Sequence, residues 1–129
     1  MLFLDSPTII EYSNDTQSVV EYVDDKGQLF TSAICVYKIT EGEMWATNKS
    51  AHAVRQGFRG VNSIQLNEEI AMEAARMQNE LRANGEEMSV RDLLIAATAR
   101  STGAELVVAD SDFQTDVLAD YLTVTNLRE

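Results

Sequence analysis

Three aspartates far apart in the chain, Asp5, Asp92 and Asp110, each stand where a strand or helix ends or begins. Asp5 closes the apolar run Met1-Leu2-Phe3-Leu4. Asp92 lies in the first turn of the apolar stretch from Ser89 to Ala99. Asp110 closes Leu106-Val107-Val108-Ala109, with Asp112 and Phe113 just behind it. Carboxylates gathered at one sheet edge repel one another unless a cation sits among them, and a hard divalent metal is the usual answer. Each acid also has a simpler use. Asp5 or Ser6 can cap a first helix, Ser89-x-x-Asp92 matches a variant capping box, and Asp110 can cap a helix from Ser111 whose dipole favours Asp112. Caps account for the acids one at a time. They do not account for Asp5 and Asp110 sharing the carboxyl edge of parallel strands, where open α/β sheets put their ligands.

The elements that must position these acids follow from periodicity and punctuation. Residues 1–5 form a short strand, apolar on both faces, and Ser6-Pro7 starts a helix. Residues 15–22 form a second helix, closed by the turn Asp24-Asp25-Lys26-Gly27. Residues 29–34 form a strand, and a helix runs from Val36 to Thr47. A further helix over residues 49–59 puts Ala51, Val54 and Phe58 on one face and His52, Arg55 and Arg59 on the next. Residues 61–66 form an edge strand or an extended connector. Asn67 caps a helix to Ala83 with Ile70, Ala74, Met77 and Leu81 inward. Residues 89–102 form a helix buried on more than one side, 105–109 a strand, 112–121 a helix and 122–125 a last strand. Strands alternating with helices predict a parallel sheet covered on both faces.

At 129 residues and 45% hydrophobic content the chain has the size of one domain, spanning residues 1–129. Its apolar runs are too short to span a bilayer and no signal segment precedes them, so a cytoplasmic location away from membranes is expected. The lone Cys35, among Ala33, Ile34 and Val36, is expected to pack as a small hydrophobe. Trp45, Phe58 and the five methionines are expected in the core or on apolar surface that faces a partner. The net charge of −11, with only three lysines beside seven arginines, excludes a generally basic nucleic-acid surface and matches proteins of salt-rich cytoplasm. No acid lies between Met44 and Asn67, whereas Lys49, Arg55 and Arg59 do.

Met1-Leu-Phe-Leu-Asp5, the block Asp92-Leu-Leu-Ile-Ala-Ala-Thr-Ala99 and Glu105-Leu-Val-Val-Ala-Asp-Ser-Asp-Phe113 resemble three signature blocks of PIN-domain ribonucleases, most closely VapC-like toxins. Ser32 to Gly42 is similar to a fourth. The resemblance implies a three-layer α/β/α domain with a central, mostly parallel sheet of four or five strands. It implies a metal-dependent endoribonuclease with Mg²⁺ or Mn²⁺ on Asp5, Asp92 and Asp110, supported by Asp112. It further implies an RNA substrate, a homodimer and a small antitoxin partner. The family's second acid falls at Lys38 in this chain; Glu41, three residues on, lies near the same helix face and can stand in for it. Pro7 and Val108 replace polar residues that would orient the ligands. Lys38 opens an alternative, in which its ammonium neutralises Asp5 or Asp92 and the domain binds a partner without chemistry. A receiver-like phosphoacceptor also gathers acids at strand ends, but the lysine it needs at the end of a late strand is missing. For RNA, Lys49, His52, Arg55 and Arg59 are the candidate phosphate contacts.

Overall fold

The computed structural model describes residues 1–109, 113 and 116–127. Two strands that are apolar but for Glu105, Leu2–Leu4 (β1) and Glu105–Val108 (β4), lie side by side within a five-stranded sheet. The order is β3-β2-β1-β4-β5, with β2 at Leu29–Ser32, β3 at Val61–Ile64 and β5 at Val124–Asn126, and every pairing is parallel. Alternation along the central strands sends side chains to two separate cores, as a sheet covered on both faces requires. Leu2, Leu4 and Val107 join one with Ile9, Val23 and Phe58; Phe3, Leu106 and Val108 join the other with Met77, Leu81 and Ile95.

The helices are Ser6–Ser13 (α1), Gln17–Val23 (α2), Ala33–Thr47 (α3), Ala51–Gln56 (α4), Glu68–Ala83 (α5) and Val90–Thr102 (α6). Buried residues of α1, α2 and α4 belong to the first core, those of α5 and α6 to the second, and α3 contributes Ile39 to the first and Cys35 to the second. The result is the expected three-layer α/β/α domain, with a sheet that is wholly parallel.

Several boundaries differ from the sequence reading, each for a local reason. Helix α3 begins at Ala33, not Val36, because Ser32 Oγ accepts the Cys35 N–H at 3.0 Å and turns the chain out of β2 at once. Helix α2 starts two residues late because Thr16 occupies its N-cap. Helix α4 is only six residues long, and Ala51 is exposed while Val54 and Phe58 are buried. Residues 61–64 are the edge strand. The expected helix over 112–121 is replaced, in its described part, by turns and a 3₁₀ segment at Leu118–Asp120, and the last strand is 124–126. Asp110 and Asp112 lie outside the described residues. Cys35 is fully buried, as expected of a packed thiol.

Candidate metal centre

Helices α1 and α3 both start at the carboxyl edge of the sheet, since each follows its strand within two residues. Helix α6 reaches the same edge from the other direction. Its C-terminus ends at Gly103, which takes the left-handed conformation (φ 73°) that favours glycine. Gly103 and Ala104 then turn the chain into β4, so α6 runs against the strands and its first turn lies at their carboxyl ends. The N-termini of α1, α3 and α6 therefore all lie at the carboxyl edge of the sheet. Their partial positive charge favours anions, which lowers the cost of gathering carboxylates there.

Asp5 is the N-cap of α1 and is 2% exposed. Its Oδ1 accepts the Thr8 backbone N–H at 3.0 Å and the Thr8 hydroxyl at 2.5 Å. That hydroxyl also lies 3.2 Å from the Val107 carbonyl, and the Asp5 N–H donates to the same carbonyl at 3.2 Å. The carboxylate is thus tied to β4 through a fully buried threonine. The Thr31 hydroxyl donates to the Leu4 carbonyl at 2.8 Å, which fixes the end of β1 to β2. Nothing in the sequence reading marked Thr8. Its position three residues after the cap was the signal, because the third helical residue faces the capping side chain.

Asp92 stands in the first turn of α6, where its N–H donates to Ser89 Oγ at 3.3 Å. Its side chain is 14% exposed, and Arg91 Nε lies 3.8 Å from Oδ1. Asp5 and Asp92 share the carboxyl edge. Among the described residues no three His, Cys, Asp or Glu side chains form a metal-binding group; Asp110 and Asp112, two of the four expected acids, are outside those residues. Asp5 and Asp92 offer carboxylate oxygen alone, the donor that a hard cation such as Mg²⁺ or Mn²⁺ takes. On α3, Lys38 and Glu41 are both exposed. Among the described residues Lys38 forms no ion pair with Asp5 or Asp92.

Of the candidate phosphate contacts, Lys49, His52 and Arg59 are exposed. Arg55 is engaged within its own segment. Its Nη1 donates to the Phe58 carbonyl and its Nη2 to the Val61 carbonyl, both at 2.8 Å, and its guanidinium lies 4.7 Å from the Phe58 ring centre. It closes the end of α4 onto β3.

The sequence profile of the PIN domain matches residues 2–115. The chain belongs to the PIN domain family. Solved relatives share its fold along nearly their whole length. VapBC-1 from nontypeable Haemophilus influenzae is 24% identical with a TM-score of 0.79, covering 98% of both chains. DNA-bound VapBC from Salmonella typhimurium is 19% identical with a TM-score of 0.79, covering 98% of this chain and 97% of its own. A toxin–antitoxin complex from Klebsiella pneumoniae is 18% identical with a TM-score of 0.78, covering 100% and 99%. No curated protein matches the chain. In this PIN domain no described helix is long and apolar enough to cross a membrane.

Proposed function

We propose that this PIN domain is a metal-dependent endoribonuclease and the toxin of a toxin–antitoxin pair. The observation that carries the reading is the placement of the buried Asp5 and the largely buried Asp92 at one sheet edge, under three helix N-termini. Asp5, Asp92 and Asp110 would hold Mg²⁺ or Mn²⁺, with Asp112 in support and Glu41 as a further acid at the start of the RNA path. Such an ion supplies an activated water and offsets charge developing on the phosphate.

The chain's own residues do the positioning. Thr8 holds Asp5 in one rotamer, Ser89 holds the backbone of Asp92, and the helix N-termini stabilise the negative charge that ligand carboxylates must keep. Lys49, His52 and Arg59 are the phosphate contacts of choice; Arg55 is committed to Phe58 and Val61 and is left out. The fold shared with VapBC proteins supports an antitoxin as partner; a homodimer is the assembly proposed with it. A non-catalytic module in which Lys38 neutralises the acids gains no support from an exposed Lys38 without an ion pair to either aspartate.

The test is RNA cleavage with Mn²⁺ or Mg²⁺, at low and at molar salt, by the wild type and by Asp92→Asn. The Ser89 cap accepts from the backbone of residue 92, so the helix survives the substitution. Cleavage is expected from the wild type alone; equal rates in the two proteins refute the assignment.

A further inference from the structure

Trp45, the chain's single tryptophan, is 91% exposed on the last turns of α3. A tryptophan so placed leaves a large apolar ring in water, which is uncommon unless something covers it. On a helix of 100° per residue, Lys38 lies about 20° from Trp45 around the axis and about 10 Å along it. The two therefore share one face, and Ile34 continues that face down to the core that includes Leu93, beside Asp92. Glu41 borders the same face, about 40° to the other side of Trp45. Beyond Trp45 begins the stretch without acidic residues that presents the exposed Lys49, His52 and Arg59.

We propose that this outer face of α3 is a track for single-stranded RNA, on which Trp45 stacks a base and Lys38 holds a phosphate. The proposal rests on RNA being the substrate and names how the chain grips it. Charge decides between occupants. In a chain of net charge −11, an exposed aromatic ring set between Lys38 and the longest acid-free segment suits a polyanion with π-faces. Stacking also needs no net positive charge, so an acidic protein can hold RNA by it where salt screens phosphate contacts. The helix from Ala33 to Trp45 spans about 18 Å, room for roughly three extended nucleotides between the ring and the carboxyl edge. Glu41 repels phosphate, so the backbone of the RNA passes on the Lys38 side.

Because Trp45 is the only tryptophan, its emission reports the contact directly. Hexauridylate titrated into the full chain in metal-free, EDTA-containing buffer is expected to quench it saturably, and a duplex of uridylate with adenylate to quench it far less. Trp45→Ala is expected to weaken binding of fluorescein-labelled hexauridylate by roughly 5- to 150-fold, with Trp45→Phe keeping much of the affinity. Lys38→Gln is expected to lower the salt dependence by about one phosphate contact. Unaltered emission on saturation, or full affinity in Trp45→Ala, overturns the proposal. So does an emission change that follows protein concentration alone, which would make the face a contact between copies. Cleavage with Mn²⁺ is scored separately. Quenching without cleavage sinks the nuclease and leaves the track, and cleavage without quenching does the reverse.

Discussion

Replacing Asp5 by asparagine separates the two jobs that one carboxylate does at the end of β1. Asparagine caps a helix as well as aspartate, so the Thr8 N–H keeps its acceptor. The Thr8 hydroxyl bond falls from a charged acceptor to a neutral one, a loss of about 1 kcal/mol. Metal-free Asp5→Asn is therefore expected to keep its helix start and to lie about 1 kcal/mol below the wild type in stability. Manganese should widen the gap. At 100 times its dissociation constant it stabilises the wild type by about 2.7 kcal/mol. With about 0.27 kcal/mol/K of unfolding entropy for a chain of this length, that raises the melting temperature by about 10 °C. Asp5→Asn should show no such rise. Thr8→Val keeps the charge but frees its rotamer; a 10- to 100-fold weaker site leaves about 1.4 to 0.4 kcal/mol at the same concentration, or about 5 to 1.5 °C. Differential scanning calorimetry with and without Mn²⁺ decides. Equal manganese shifts in wild type and Asp5→Asn, or none in the wild type, would refute the reasoning.

Two further outcomes follow from the same contacts. Arg55→Gln removes a guanidinium from two carbonyls and should lower stability in urea by about 1–3 kcal/mol while leaving RNA affinity unchanged; lost affinity at full stability would return Arg55 to the RNA surface. Tyr22, Tyr12 and Tyr121 donate to Glu105, Asp24 and Glu80, and these hydrogen bonds hold each phenol above its ordinary pKa of 10.0. A group with a raised pKa contributes fully below the unfolded value and less as pH climbs through the folded one. Stability should accordingly be flat up to about pH 10 and fall above it, less steeply in Tyr22→Phe; an unchanged alkaline slope in that variant would count against the Tyr22 contact.

The sheet announced itself through strands that bury both faces. Leu2–Leu4 and Leu106–Val108 are apolar without alternation, and they lie side by side inside the sheet. Helix α5 was equally plain, since Ile70, Ala74, Met77 and Leu81 recur at the helical period and all four are buried. Where β2 gave way to α3 the apolar run Ala33 to Val36 fitted either period, and only the bond from Cys35 N–H to Ser32 Oγ decided it. Thr8 stayed hidden because its value lies in a contact with β4, ninety-nine residues away. The partners of Arg55 were hidden for a related reason. Its charge is visible in the sequence, but the carbonyls that use it up exist only once α4 has been folded against β3.

Cap and ligand were posed as rival accounts of the acids, but the geometry of Asp5 makes the two compatible. Capping turns its Oδ1 toward Thr8, and a carboxylate whose first oxygen is fixed by two hydrogen bonds presents its second in one direction only. The helix start that uses the acid is thus what orients it. The same start lends the site its partial positive charge, so the residue that anchors α1 also benefits electrostatically from standing there. Asp92 follows the logic with the roles divided: Ser89 takes the backbone bond, and the carboxylate is left to the edge and to Arg91. Loss of Ser89 should then cost helix stability before it costs metal, whereas loss of Thr8 should cost metal first. That ordering is what a site built on helix N-termini requires.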